Sequence, residues 1–115
     1  MKITIWHNPR CSKSRETLAL LQAQGISPEI RLYLQDPPDL AELQNVLALL
    51  AQPAKVLART KDPEFVALGL GADAPDLTIL AALALTPALI ERPLVIAGRK
   101  AALGRPPEAV LGLLS

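Results

Sequence analysis

The single cysteine, Cys11, lies in a polar segment with the sequence HNPRCSKSR, between a predicted strand and the start of a predicted helix. The first backbone N–H groups of a helix have no partners within the helix, and the helix dipole is positive there. Both effects stabilise a thiolate, and such sites lower the pKa of a cysteine from ~8.5 to ~3.5–7.5. The same N–H groups also suit an oxyanion. The segment therefore predicts a nucleophile beside an anion-binding site.

Charged and titratable residues lie on both sides of Cys11. Arg10, Lys13 and Arg15 add positive charge, and His7 stands four residues upstream. A lone cysteine is often only a small buried residue, but polar and cationic neighbours are typical of reactive thiols. These neighbours favour a reactive Cys11, whereas for His7 a structural role and a catalytic role stay equally open.

Spacing excludes two known kinds of cysteine site. A dithiol redox site needs the pattern C-x-x-C, but Ser14 and Asn8 occupy the positions three residues away from Cys11. A phosphatase-type loop needs an arginine six residues after its cysteine, where this chain has Thr17. The loop is therefore neither a self-contained dithiol catalyst nor a phosphatase loop.

The composition of the 115-residue chain excludes further classes of protein. The 12 Lys+Arg and 11 Asp+Glu give a net charge of +1, which offers no electrostatic case for binding nucleic acid or an anionic membrane. One cysteine excludes a disulfide framework, and one histidine argues against a metal site. Half of the residues are hydrophobic, which is enough for the core of one domain.

We also expect no membrane segment and no secretion signal. The longest uncharged stretch, Leu77–Ile90, contains Pro87 and is shorter than the ~20 residues that a spanning helix needs. The N-terminal residues lack the apolar region of a signal peptide. We therefore predict a cytoplasmic protein, since a lone thiol stays reduced in that compartment.

The first part of the chain predicts a β-α-β unit around Cys11. Alternating apolar residues predict strands at 2–6 and 29–34, the second with its apolar residues on one face. Good helix formers from Ser12 to Gln24, followed by Gly25, predict the helix between them. Such a unit is expected to be parallel and right-handed.

The rest of the chain predicts a helical block followed by a hairpin and a last helix. Asp39 and Glu42 form a capping-box pattern, and Asp76 is expected to cap a later helix. Strands at 94–98 and 100–103 would form an antiparallel hairpin, before a helix that begins at the prolines after Arg105 and runs through Leu114. This order predicts an α/β domain over residues 1–115 with a thioredoxin-like mixed sheet and a helical insertion at about 39–89.

Motifs along nearly the whole chain resemble the glutaredoxin-linked arsenate reductases. The matching segments are HNPRCSKSR at 7–15, YLQDPP at 33–38, ARTKDPEFVALGL at 58–70, ERPLV at 91–95 and GRPPEAVL at 104–111. The chain looks like a short member of that family, because it ends soon after the last predicted helix.

The resemblance implies reduction of arsenate to arsenite, as in arsenic detoxification. It implies that Cys11 attacks arsenate and forms a thiol-linked arsenic adduct, which glutathione then attacks before glutaredoxin completes turnover. With one cysteine the chain has no second thiol of its own, so the second thiol must come from outside. Glutathione would be a co-substrate, and no bound cofactor or metal is expected.

The resemblance also implies roles for individual residues. His7 and Ser14 match positions that help to lower the pKa of the thiol, and Pro93 matches the cis-proline that faces the active site. The arginines implied to hold the oxyanion are Arg59, Arg92 and Arg105. A guanidinium suits a dianion better than an ammonium because its donors form a fork. The remaining arginines are interpreted mainly as surface charges: Arg10, Arg15, Arg31 and Arg99.

Two other functions stay open at this point. One is a thiol oxidoreductase of the same fold with another substrate, such as a glutathionylated protein, for which arsenate would not accelerate thiol consumption. The other is a non-catalytic regulatory or binding module, for which Cys11→Ser would leave the binding intact.

Overall fold

The computed structural model describes residues 2–71 and 73–114, so Met1, Ala72 and Ser115 lie outside the described part. Two compact units make up the chain. The sheet unit comprises Met1–Asp36 and Arg92–Ser115, and the helical unit comprises Pro37–Glu91. The expectation of one domain over 1–115 stays a prediction.

The sheet unit contains a four-stranded mixed sheet, which confirms the predicted α/β class. Its elements are β1 (Ile3–Trp6), α1 (Ser12–Ala23), β2 (Glu29–Arg31), β3 (Leu94–Ala97), β4 (Lys100–Leu103) and a 3₁₀ helix (Pro107–Leu114). The strand order is β2-β1-β3-β4. The β1–β2 pair is parallel, and β3 is antiparallel to both β1 and β4. The β-α-β unit and the hairpin therefore pair as the sequence predicts.

One apolar cluster fixes α1 and the last helix against the sheet. Ile5 and Val95 are opposite each other on β1 and β3, and both are fully buried. Leu21 from α1 and Val110 from the 3₁₀ helix are packed in the same cluster. Burial of each such side chain contributes about 1.5–3 kcal/mol. This packing fixes the helix whose first turn follows Cys11.

The predicted strand at 29–34 is wrong in its second half. Strand β2 ends at Arg31, and the chain then turns, with the N–H groups of Gln35 and Asp36 both donating to the carbonyl of Leu32 at 2.9 Å. Ile30 is 46% exposed, whereas Tyr33 is buried. Because β2 is an edge strand with a single neighbour, its alternating residues do not define a buried face.

The described residues of the helical unit, 37–71 and 73–91, form three α-helices and two 3₁₀ helices. These are α2 (Leu40–Leu50), α3 (Pro63–Ala67), α4 (Asp76–Leu85) and the 3₁₀ helices Ala54–Leu57 and Pro87–Leu89. The capping box is confirmed, since the N–H of Glu42 donates to Asp39 Oδ1 at 2.8 Å and the N–H of Asp39 donates to Glu42 Oε1 at 3.3 Å. Among the described residues, no helix is long and apolar enough to cross a bilayer.

The prediction that Asp76 caps α4 is wrong. Pro75 occupies the cap position, and Asp76 is the first residue of the helix. The Asp76 Oδ1 atom instead accepts a hydrogen bond from the N–H of Ala54, at 3.0 Å. The Asp76 carboxylate, which the sequence predicted to cap α4, therefore makes a contact with another segment of the helical unit.

Candidate active site

Cys11 occupies the N-cap position of α1, directly after the loop that follows β1. Its N–H donates to the carbonyl of Asn8, and its carbonyl accepts from the N–H of Arg15, both at 3.0 Å. The thiol is half-buried. The backbone N–H groups of the first helical turn therefore start beside the sulfur, as the sequence predicts.

Opposing effects set the pKa of the Cys11 thiol. Burial raises it, but the backbone N–H groups of Ser14 and Lys13 lower it. The positive charge of Arg92 and a hydrogen bond from Arg105 lower it further, and the net effect places the pKa below its ordinary value. A lowered pKa leaves more of the thiol as the nucleophilic thiolate near neutral pH.

Arg105 and Arg92 meet beside the thiol within the sheet unit. The Nη1 atom of Arg105 lies 4.0 Å from Cys11 Sγ and donates to the carbonyl of Arg92 at 2.9 Å. Both arginines precede cis peptide bonds, one at Pro93 and one at Pro106. The cis peptide at Pro93 agrees with the resemblance, whereas the one at Pro106 was not predicted.

His7 and Ser14 form a buried pair under the loop. His7 Nδ1 lies 2.6 Å from Ser14 Oγ, which also accepts a hydrogen bond from the N–H of Asn8 at 3.0 Å. Burial, followed by the charge of Arg15, lowers the pKa of His7, so its neutral form is favoured. In the neutral ring, an unprotonated Nδ1 can accept a hydrogen bond from the Ser14 hydroxyl. In this geometry His7 orients Ser14, whose backbone N–H acts on the thiol; the catalytic roles of both residues stay predictions.

Arg31 is more than the surface charge that the sequence suggests. Its carbonyl accepts the N–H of His7 at 2.8 Å, and its guanidinium lies 5.3 Å from the centre of the Trp6 ring. Its Nε donates to the carbonyl of Asp36 at 3.1 Å, and its side chain is only 17% exposed. Arg31 therefore joins the end of β1 to the turn after β2. Sequence reasoning missed this role because alternation assigned Arg31 to an outward face.

Other arginines of the sheet unit lie at the surface as predicted. Arg10 and Arg99 are exposed. Arg15 is also exposed, but its Nη1 donates to the carbonyl of Pro9 at 2.9 Å and so supports the loop before Cys11.

Arg59 lies in the helical unit, between its first 3₁₀ helix and α3. The N–H of Arg59 donates to the carbonyl of Leu89 at 2.8 Å, and its Nη1 lies 3.4 Å from Asp62 Oδ2. The side chain is half-buried. Its predicted part in oxyanion binding stays a prediction.

A cavity of about 430 Å³ opens beside the loop that precedes Cys11. Its lining residues are His7, Asn8, Pro9, Arg10, Leu32, Leu34 and Gln35. Within residues 2–71 and 73–114, no group of three or more His, Cys, Asp or Glu is placed to hold a metal ion. Cys11 itself offers a thiol that has cationic and N–H donors around it.

Taken together, the sheet and the loop define a thioredoxin-like protein with one activated cysteine beside paired arginines. A sequence model of the ArsC family matches residues 6–113. The chain is 47% identical over 116 residues to an arsenate reductase of Haemophilus influenzae, a match that covers 99% of this chain and 100% of that protein. The chain therefore belongs to the ArsC family.

Further relatives agree with this assignment. An arsenate reductase of Neisseria meningitidis serogroup A is 47% identical over 117 residues, covering 98% of each protein. Among solved structures, an arsenate reductase from Vibrio cholerae matches with a TM-score of 0.93 and 43% identity, over 98% of each chain. The similarity therefore extends through both the sheet unit and the helical unit.

Proposed function

We propose that this protein is an arsenate reductase that forms a thiol–arsenic adduct at Cys11, resolved by glutathione and glutaredoxin. The observation that carries the proposal is the placement of Arg105 Nη1 4.0 Å from Cys11 Sγ, at the N-terminus of α1. A thiolate that shares its surroundings with guanidinium and backbone donors is suited to attack the central atom of an oxyanion.

In the first step, the Cys11 thiolate attacks the arsenic of arsenate. A new S–As bond forms, and one arsenate oxygen leaves as water after protonation. Arg92 and Arg105 would hold the remaining oxygens and balance their charge, with Arg59 as the third ligand that the family resemblance implies. Donors aimed at the developing negative charge give the largest catalytic contribution in reactions of this kind.

In the second step, an external thiol attacks the Cys11 sulfur of the adduct. An S–S bond forms, the S–As bond breaks, and the arsenic leaves as arsenite with the bonding electron pair. Reduction of As(V) to As(III) takes two electrons, which two thiols provide when their sulfurs join as a disulfide. Cys11 is the only cysteine of the chain, so the partner thiol comes from another molecule. We propose glutathione for this step and glutaredoxin for reduction of the mixed disulfide, in the cytoplasm, where both thiols stay reduced.

The test is arsenate-dependent oxidation of NADPH in a mixture with glutathione, glutathione reductase and glutaredoxin. Turnover should require arsenate and should disappear in the Cys11→Ser variant, because serine supplies no thiolate. Folded protein without arsenate-dependent turnover, next to a working reductase as a positive control, would contradict the substrate and favour a thiol oxidoreductase with another substrate.

A second set of reactions tests the electron donor. Glutathione and glutaredoxin are replaced by thioredoxin and thioredoxin reductase, with arsenate kept constant. Turnover with the glutathione system alone is the expected result. Equal or faster turnover with thioredoxin would keep arsenate as the substrate and would reject the proposed donor.

A further inference from the structure

The backbone at Gly104, directly before Arg105, makes a close contact within the sheet unit. A Cβ atom on Gly104 would lie 2.8 Å from Pro93 Cγ and 3.1 Å from Thr17 Cγ2, and would overlap Thr17 Oγ1. Gly104 is buried and is not among the glycines with positive φ, which are Gly25, Gly69 and Gly98. The position therefore demands glycine for space, and the backbone angles themselves would admit alanine.

Thr17 provides the other side of this contact. Its side chain is fully buried on α1, and its Oγ1 donates to the carbonyl of Lys13 at 2.8 Å. This hydrogen bond fixes the side chain against the helix, so the atoms that Gly104 meets cannot easily rotate away. The same helix begins directly after Cys11.

Three segments that carry site residues meet at this point. Gly104 precedes Arg105, and its N–H donates to the carbonyl of Pro93 at 2.9 Å. Pro93 follows Arg92, whose carbonyl accepts the hydrogen bond from Arg105 at 2.9 Å. The contact between Gly104 and Thr17 therefore sets the distance between α1 and the backbone of Arg105. From this backbone position, Arg105 Nη1 reaches to 4.0 Å from Cys11 Sγ.

We propose that Thr17 and Gly104 are positioning residues whose contact sets how closely Arg105 approaches Cys11. They act through Arg105, since neither is required to touch the substrate. The proposal rests on the proposed function for the binding of arsenate by Arg105. Its effect on the thiol requires no arsenate at all, because Arg105 acts on the Cys11 sulfur in the free protein.

The principal variant is Gly104→Ala, and the matched control is Gly112→Ala. Both glycines lie in the sheet unit, but a Cβ atom on Gly112 would meet no atom within 4 Å. The rate of Cys11 alkylation by iodoacetamide, measured against pH, reports the pKa of the only thiol in the chain. Gly104→Ala should raise that pKa and raise the KM for arsenate about 10-fold, as small displacements of positioned groups can do. Gly112→Ala should change neither quantity.

A double-mutant cycle separates positioning from general packing. In an Arg105→Gln background, Gly104→Ala should change the pKa of Cys11 less than in the wild type, because Arg105 is absent and only Arg92, next to Pro93, can still be displaced. Adding Thr17→Ala to the Gly104→Ala variant removes the clash between residues 17 and 104. The double variant should recover only part of the shift in the pKa of Cys11, because the contact with Pro93 remains. An unchanged pKa in folded Gly104→Ala, or an equal change with and without Arg105, overturns the proposal.

Thr17→Ala alone keeps the proposal testable if Gly104→Ala does not fold. It removes the contact without creating a clash, and it should shift the pKa of Cys11 only while Arg105 is present. A change that persists in Arg105→Gln contradicts positioning through Arg105. If the pKa of Cys11 responds as expected but the wild type does not reduce arsenate, the proposed function fails and the positioning role stands. If the wild type reduces arsenate but the pKa of Cys11 does not respond, the positioning role fails and the proposed function stands.

Discussion

Arg105 of the sheet unit and Arg59 of the helical unit differ in the contacts that the structure describes for them. Arg105 donates to the carbonyl of Arg92 and lies beside the thiol. Arg59 pairs with the carboxylate of Asp62 at 3.4 Å. A carbonyl orients a guanidinium without adding a negative charge, whereas a nearby carboxylate lowers the attraction of that guanidinium for an anion. The Arg105 guanidinium is therefore already held beside the sulfur, whereas one nitrogen of the Arg59 guanidinium is shared with Asp62.

Among the variants of Arg105, Arg59 and Asp62, the largest effect is expected for Arg105→Gln. Glutamine keeps a polar side chain but removes the charge and the fork of donors, so kcat/KM for arsenate should fall about 100-fold or more. The coupled NADPH assay measures this, with the exposed Arg99→Gln as the control for loss of a surface charge. Similar losses in both variants would contradict a specific role for Arg105.

The pH dependence of Cys11 follows from the lowered pKa. The thiolate is present above that pKa and is lost as pH falls through it, so reactivity should persist to lower pH than that of free glutathione. Below its own pKa, an ordinary thiol loses about 10-fold in thiolate for each pH unit. Alkylation rates of Cys11 and glutathione between pH 5 and 9, roughly the span around ordinary and lowered thiol pKa values, compare the two directly. Coincident profiles would show that the pKa of Cys11 is not lowered relative to that of glutathione.

A smaller effect is expected for Arg59→Gln. If Arg59 is the third ligand, the KM for arsenate should rise about 10-fold, because other cationic groups still hold the oxyanion. Steady-state kinetics with arsenate as the varied substrate test this, and thermal unfolding checks that the helical unit is intact. No change in KM would limit the oxyanion ligands to the sheet unit.

The smallest effect is expected for Asp62→Asn. Asp62 Oδ1 caps α3 by accepting the N–H of Glu64 at 2.9 Å, and asparagine is an equally good cap. The substitution therefore removes the charge that pairs with Arg59 and keeps the helix start. Arsenate should bind a few-fold more tightly, by roughly the strength of an exposed ion pair. Weaker binding would mean that Asp62 positions Arg59 rather than competing for it.

The sequence predicted the parts of the site that depend on local rules. A cysteine between a strand and a helix lies at the helix start, and the capping box of Asp39 and Glu42 forms as expected. Family motifs implied Arg92 and Arg105, which the structure places side by side, and their part in oxyanion binding stays a prediction. Each of these rests on neighbouring residues or on the match to known motifs.

The features that sequence reasoning missed depend on contacts between distant residues. The Asp76 carboxylate accepts a hydrogen bond from the N–H of Ala54, and Gly104 lies against Thr17. The residues next to Asp76 and Gly104 in the sequence do not indicate either contact. The turn that buries Tyr33 depends on the edge position of β2, which alternation does not reveal. Side-chain periodicity reports which residues are apolar, but not which strand has a neighbour on both sides.

The position of Cys11 at the helix start has a consequence for stability. Serine, threonine, aspartate and asparagine are the residues that stabilise a helix at its N-cap, and replacing them by poor caps costs about 0.5–2 kcal/mol. A neutral thiol lacks that stabilisation, whereas the thiolate interacts with the N–H groups of Ser14 and Lys13. At a pH below the pKa of Cys11, the inactive Cys11→Ser protein should therefore unfold at a higher temperature than the wild type in differential scanning calorimetry. A lower unfolding temperature at that pH would mean that serine does not stabilise the start of α1.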